Sequence, residues 1–409
     1  MCLRKRLIIR LISAIWLLYS AVAAAFEDVP QIHISELIPP SLAQSVSYRV
    51  DEGKVTGKYI RFSIDSEFGN FTVDSLPLLM TRIREISILD QAVNQVHLRN
   101  KKSGEYKRGE YHVSADSALD IVTRPMSTAS EVAGQVRSNL ENNDSEVSQE
   151  VELKYMTGDD KTVDPVMAMH KRNIASQWGL DVYSSNPMVI KFLNDTASAR
   201  AAGRIAAGTP GISRGNFSPV KFVNPELELE LGLLIKNHSI SELEGINNQL
   251  LSTMHVPDGL RLLFLHHRNY SPRLKTAIVH YLNLMTGVVN RSAFIEQAMK
   301  ADSESAALGY EMAAMMLAYY HNKVSPLLKI SSGENILQAV TRNNHILYLS
   351  MADMIYWSED TEKYFNQLSR QAKQAGFSTK ELMTMGEITD EASARLNDLG
   401  FVLRKRMIF

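Results

Sequence analysis

The sequence predicts an α+β protein that is predominantly helical: an N-terminal β-meander packed on a helix, a central helical bundle and a small C-terminal α/β module. Three observations carry this. Between Val46 and Val73 apolar and polar residues alternate, the period of strands with one buried face. From Pro165 to His321 a cap residue followed by proline recurs before apolar residues at helical spacing, as in Asn186-Pro187, Asn224-Pro225 and Ser271-Pro272. Beyond Val324 short apolar runs alternate with capped amphipathic helices, the pattern of strand–helix–strand units.

The first 25 residues stand apart. Arg4, Lys5, Arg6 and Arg10 form a basic start, Leu11 to Ala21 a short apolar core, and Ala23-Ala24-Ala25 a small-residue cleavage site before Phe26. This reads as a Sec-type signal peptide. A signal anchor is the alternative, disfavoured because the apolar run is short and ends in small residues. No later stretch reaches the roughly 18 apolar residues of a membrane span. The only cysteine, Cys2, lies inside the leader, so the mature chain is free of thiols. Disulfides, cysteine nucleophiles and cysteine metal sites are thereby excluded, and a large exported chain without them suggests a bacterial periplasm. Once the leader's basic residues are gone, the net charge is about −5, which attracts neither nucleic acid nor anionic lipid.

Residues 26–45 read as a tethering arm broken by Pro39-Pro40. Val46, Tyr48 and Val50, then Ile60, Phe62 and Ile64, then Phe71 and Val73 give a meander of about three strands. Its apolar face needs a cover. The cover is the next helix, capped by Asp74 or Ser75 with Pro77 in its first turn and striped by Leu79, Ile83, Ile86, Val93 and Val96. Arg99, Lys101, Lys102, Lys107 and Arg108 then form a basic loop, and a helix around 115–140 completes an N-terminal domain of residues 26–140. Residues 141–164 are an acidic linker. Its Asp159, Asp160 and Asp164 lack the alternation of a calcium loop.

The helical domain spans 165–323. Gly179 ends its first helix as a left-handed cap, and Asn186-Pro187 starts the next, which runs into Ala197, Ala199, Ala201, Ala202, Gly203, Ala206 and Ala207. Arg200 and Arg204 punctuate that small-residue surface, so close packing in a soluble core is preferred over membrane association. Leu227, Leu229, Leu231 and Leu233 alternate, leaving a strand open as the alternative to a helix there. Ser239 with Glu242 forms a capping box. Further helices start at Ser271-Pro272, at Asn290 and at Asp302 or Ser303, the last carrying Met312, Met315 and Met316 as adaptable core filler. In the module at 324–409, strands are expected at Leu327–Ile330, Ile346–Met351, Leu382–Met385 and Phe401–Phe409, with helices capped by Ser358 and Thr389 and ended by Gly376 and Gly400.

Three groups could carry chemistry. Gly211-Ile-Ser213-Arg-Gly215 matches the nucleophile elbow G-x-S-x-G, but an alanine-rich helix precedes Ser213 where a strand is required. His266, His267, His280 and His321 could converge from neighbouring helices on a metal, with Glu311 or Glu296 as a carboxylate, although no two histidines share a helix face at ligand spacing. Asp353 and Gly386-Glu387 follow expected strands, where α/β sheets bind ligands. The acidic first turns after Ser358 and Thr389 would repel an anion, which disfavours nucleotide binding there.

Two stretches carry a resemblance. Phe68-Gly-Asn-Phe-Thr-Val-Asp-Ser75 leads into Arg82-Ile-Arg-Glu-Ile86, and Asp181-Val-Tyr-Ser-Ser-Asn-Pro187 forms a turn. Together with Gly386-Glu-Ile-Thr389 and the helix ending at Leu399-Gly400, they make the chain resemble a group of uncharacterised exported bacterial proteins. The resemblance implies one shared architecture in exported proteins and no chemistry.

The expectation is therefore an exported periplasmic or envelope protein, non-enzymatic, with a structural or interaction role and an envelope protein as partner. No cofactor and no nucleic acid are expected. The rival is a hydrolase, metal-dependent through the histidines or serine-type through Ser213. Peripheral membrane association through 197–207 is the third possibility.

Overall fold

The computed structural model describes residues 26–103, 165–201, 225–333 and 336–407. The expected leader, the expected acidic linker, the expected helix around 115–140 and the Ser213 stretch lie outside the described residues. Within them the fold is α+β and predominantly helical.

The arm supplies a strand β1 (Gln31–Ile32) and two one-turn helices, α1 (Ile34–Leu37) and α2 (Pro40–Ala43). Four strands follow: β2 (Tyr48–Val50), β3 (Gly53–Thr56), β4 (Tyr59–Ser66) and β5 (Phe71–Asp74). β4 is the spine. Its Ile64 faces Val50 on one side and Phe71 on the other, and its Arg61 faces Lys54 and Asp74. β2 and β3 therefore share one edge of β4 and β5 takes the other, all antiparallel. Ile60, Phe62 and Ile64 point inward and are fully buried, while Arg61, Ser63 and Asp65 are exposed. The long helix α3 (Leu76–Ser103) covers the inner face with Leu79, Ile83 and Ile86. Its backbone stays helical to Ser103, so Arg99, Lys101 and Lys102 belong to a helix and not to a basic loop.

The helical region contains α4 (Pro165–Trp178), α5 (Pro187–Ala201), α6 (Pro225–Asn237), α7 (Ile240–Thr253), α8 (Asp258–Leu265), α9 (Pro272–Asn283), α10 (Ser292–Ala298) and α11 (Glu304–Tyr319). The punctuation acts as its chemistry dictates. Gly179 takes φ +70° and the Leu180 amide donates back to the Ala175 carbonyl at 2.9 Å. Asn186 Oδ1 accepts the Met188 amide at 3.0 Å, ahead of Pro187. Ser239 and Glu242 close a reciprocal capping box, and Ser303 caps α11. The alternating leucines are helical, with Leu227 and Leu231 inward and Leu229 and Leu233 outward. α11 is the central rod, buried from Ser305 to Ala318, with its methionines in the core. It ends in a π-helical turn, Tyr320–Val324.

The C-terminal module is built from β6 (Leu327–Ser332), β7 (Leu337–Thr341), β8 (His345–Ser350), β9 (Met354–Ile355), α12 (Glu359–Gln374), β10 (Thr379–Thr384), β11 (Glu387–Ile388), α13 (Asp390–Asp398) and β12 (Phe401–Arg404). The main sheet has the order β12-β10-β8-β7-β6, parallel among β8, β10 and β12 and antiparallel from β6 to β8. β7 escapes the sequence reading because it is short and carries Gln338 among its apolar residues. The expected last strand is also shorter than predicted, stopping at Arg404. Side-chain alternation splits the sheet between two cores. Leu347, Leu349 and Met383 join the large core shared with α11, while Ile346, Tyr348, Leu382 and Phe401 pack under Phe365, Leu368 and Leu396 of α12 and α13.

Past Ser350 and Thr384 both parallel strands kink and continue as β9 and β11, which pair with each other. The N-terminal part of the chain closes over this edge. The Asp353 amide donates to the Lys58 carbonyl at 2.9 Å, and Glu27 ties down Trp357 and Thr389 with bonds of 2.5 and 2.6 Å. The strand ends marked by Asp353 and Gly386-Glu387, read from sequence as a possible ligand position, are thus an interdomain joint. None of the described helices is long and apolar enough to cross a membrane.

Candidate functional site

The two stretches that carry the sequence resemblance meet in space. Arg82 and Glu85 sit one turn apart on α3, beside its apolar stripe, and the turn between α4 and α5 lies directly over them. Arg82 Nη1 donates to Glu85 Oε2 at 3.0 Å. Its Nη2 donates to Ser185 Oγ at 2.5 Å and to Glu304 Oε2, in the first turn of α11, at 3.0 Å. Ser184 donates to Glu85 Oε1, Ser185 donates to Glu304 at 2.7 Å, and Asn186 Nδ2 donates to Glu85 Oε2 at 3.0 Å. Arg82 and Glu85 are almost completely buried. One guanidinium therefore compensates two carboxylates, and two serines and an asparagine occupy the remaining acceptor positions.

Beside this clamp lies a second, less satisfied group. Arg273 Nη1 on α9 donates to Glu311 Oε1 on α11 at 2.9 Å. Asp181, Glu228 and Arg84 are close enough to act on this pair electrostatically. Tyr281 donates to Glu228 Oε1 at 2.9 Å, Arg84 Nη2 donates to the Gly179 carbonyl at 3.2 Å, and Asp181 Oδ1 accepts the Tyr183 amide at 2.9 Å. Burial pushes the Glu311 carboxyl up to about 7 against the pull of Arg273, with Glu228 and Asp181 adding to the rise. Burial raises Asp181 as well, again opposed by Arg273. Arg273 itself is held above the usual guanidinium range by Glu311, so the carboxyl is the partner that titrates. A proton-exchanging carboxyl next to a fixed cation is the chemical resource of this site.

Comparison with protein families, curated proteins and solved structures finds no match. The assignment of roles rests on the geometry.

The sequence candidates are placed as follows. Ser213 lies outside the described residues. His266 Nδ1 lies 2.9 Å from the Leu262 carbonyl at the end of α8. His267 Nε2 is 3.3 Å from the Met299 carbonyl and its ring packs edge-on to Tyr270. His280 Nδ1 stands 4.0 Å from Glu230, while its Nε2 is buried and unpartnered among the described residues. His321, in the π-turn, accepts the Leu327 amide at Nδ1, 3.1 Å away. Each histidine has its own neighbour, and burial lowers the pKa of His267, His280 and His321. Convergence on one metal is not what the structure shows: no group of three His, Cys, Asp or Glu that could hold a metal occurs among the described residues. Adjacent histidines such as His266 and His267 leave a helix end in different directions, which separates them at the outset.

From sequence, Glu311 stands only as an accessory carboxylate for the histidine group, and its partner Arg273 goes unmarked. A signal was present: Glu311 is the one carboxylate between Glu304 and Tyr320, in a helix otherwise made of apolar and small residues. A lone charge in a core helix needs a partner from another helix.

The site also sets a pH response. Glu311 binds a proton more tightly folded than unfolded, so its contribution is fully present below the ordinary carboxylate range and is lost as pH rises through about 7. The expected loss is on the order of 2–3 kcal/mol. Urea unfolding of the wild type should show stability falling from mildly acid to mildly alkaline pH, and Glu311→Gln should make that slope shallower. An unchanged slope in the variant would remove Glu311 from this role.

Proposed function

We propose that this chain is an exported bacterial envelope protein that acts by presenting a folded surface to a protein partner, without turning over a substrate. The observation that carries the reading is the closure of the Arg82–Glu85–Glu304 clamp. Arg82, Glu85, Ser184, Ser185 and Asn186 of the two stretches are hydrogen-bonded to one another and to Glu304, which is the arrangement of a structural lock. Exposed leucines on separate helices support a docking role, notably Leu229 and Leu233 of α6 and Leu262 and Leu263 of α8.

The test is photo-crosslinking in living cells from probes placed at Leu229 and Leu262, compared with probes at Glu36 and Lys363. The reading expects discrete adducts from the leucine positions alone. Equal labelling at all four positions, or none, counts against it. Export is tested by sequencing the mature N terminus, expected at Phe26 in the periplasmic fraction; recovery of the full-length chain from the cytosol defeats it.

A second reading, a hydrolase, is favoured by one observation: the buried Glu311 carboxyl lies 2.9 Å from the Arg273 guanidinium, and burial pushes it up to about 7. Hydrolysis of an ester, peptide or glycoside panel that disappears in Glu311→Gln, with folding retained, would replace the first reading by this one.

A further inference from the structure

We propose that the N-terminal sheet is latched onto the C-terminal module by a proton-dependent clamp at Asp353, closed when that carboxyl is neutral and loosened when it ionises. The placement of Asp353 is the first argument. It has no exposed surface, in the loop between β8 and β9, and it reaches three elements at once. Its amide donates to the Lys58 carbonyl and its Oδ2 accepts the Ile60 amide, both at 2.9 Å, gripping β4. The Leu76 amide, at the start of α3, also favours the charged form of the carboxyl. The Asp353 carbonyl accepts the Glu387 amide at 2.9 Å, gripping β11.

The clamp is incomplete in a specific way. Asp353 Oδ1 and the Tyr59 hydroxyl are both buried and both without a hydrogen-bond partner among the described residues. No cation pairs with Asp353 there. The groups facing this joint are Tyr59 of β4, with the Lys58 ammonium 4.9 Å from its ring centroid, Asp302 ahead of α11 and Tyr310 within it acting on Tyr59, and the Glu387–Arg406 ion pair on the β11 side. An ionised Asp353 would thus be a buried charge held by two amides, next to a phenol that the same charge disfavours from ionising. Burial accordingly pushes this carboxyl up to about 7, against the pull of the two amides. Ser75, which links β5 to α3 beside the clamp, holds φ +116° and donates its amide to the Ile60 carbonyl at 3.0 Å. A side chain at that φ is strained, so the joint has somewhere to relax when the Ile60 contact is released.

The direction follows from linkage. The folded protein binds this proton more tightly than the unfolded chain, so the clamp is fully closed below the ordinary carboxylate range and weakens as pH rises through about 7.

Hydrogen exchange on the full mature chain tests this, with rates corrected for intrinsic pH dependence. All arms carry Glu311→Gln, which removes the other buried carboxyl pushed up to about 7. Protection of peptides covering Ile60 and Leu76 is expected to fall about tenfold or more from mildly acid to mildly alkaline pH, relative to peptides from α9. In Asp353→Asn it should stay level. Equal slopes with and without Asp353, or no slope in either, overturn the proposal. Should Asp353→Asn fail to fold, carbon NMR titration of labelled aspartate in the Glu311→Gln chain, with Tyr59→Phe to assign the neighbouring resonance, gives the same decision. A midpoint near neutrality supports the latch, and a midpoint in the ordinary carboxylate range overturns it.

Discussion

Replacing Arg82 by alanine is expected to destabilise the protein by about 3–5 kcal/mol, the cost of leaving a buried carboxylate without its cation. Arg82 lies between Glu85 and Glu304 with its side chain 7% exposed, and it donates to both and to Ser185. Its loss leaves Glu85, on the same helix and equally buried, with hydrogen bonds from Ser184 and Asn186, no ion-pair partner among the described residues, and only the more distant charge of Arg84. Glu304 is better placed to recover, because its side chain is 29% exposed and water can reach it. Most of the penalty should therefore travel through Glu85, and a double-mutant cycle separates the two. Adding Glu85→Gln to Arg82→Ala should return more than half of the lost stability, whereas Glu304→Gln should return little. Arg82→Lys should stay well short of wild type, since an ammonium cannot fork between two carboxylates and a hydroxyl. Equilibrium urea unfolding at neutral pH reads all of these. A loss below about 1 kcal/mol in Arg82→Ala would mean that the clamp is solvated in solution and the lock argument fails.

The parts of the fold that sequence made legible were those governed by local chemistry. Gly179, Asn186-Pro187, Ser239 with Glu242, Ser303, Ser358 and Thr389 all mark helix ends where they were expected, because capping involves residues within a few positions of one another. The alternation of Ile60, Phe62 and Ile64 gave the inner face of β4 for the same reason. What escaped was whatever depends on a distant partner. β7 is a strand because β6 and β8 flank it, and its own five residues are ambiguous. Leu227 to Leu233 alternate like a strand and fold as a helix, because the core beneath α6 needs only Leu227 and Leu231. The candidate site was the least legible. The Arg82 and Asp181–Asn186 stretches could each be seen, but their contact spans about a hundred residues of chain, and nothing in either motif names the other. The histidines misled for the converse reason: His266, His267, His280 and His321 lie within one helical region, yet each ring meets a different neighbour.

Gly386 provides the sharpest test of the joint between the strands. A Cβ at this position would overlap the carbonyl group of Asp353 and lie 2.6 Å from its Cα. The obstruction is backbone, held in place by the pairing of β9 with β11 and by the bonds from Asp353 to Lys58 and Glu387, so it cannot swing aside like a side chain. Gly386→Ala is therefore expected to cost about 3 kcal/mol or more, outweighing the small gain of roughly 0.4–1 kcal/mol from a stiffer unfolded chain. Gly309 is the control. It lies inside α11, where an added methyl would meet Met351 Sδ at 3.5 Å, an ordinary contact with a flexible side chain. Gly309→Ala should stabilise by up to about 1 kcal/mol through helix propensity. The same chemical change is thus predicted to have opposite signs at two buried glycines, and urea unfolding followed through Trp357, two residues beyond the end of β9, reads both. If Gly386→Ala were neutral, β9 and β11 could separate freely, and the strand ends would be an open edge available to a ligand after all.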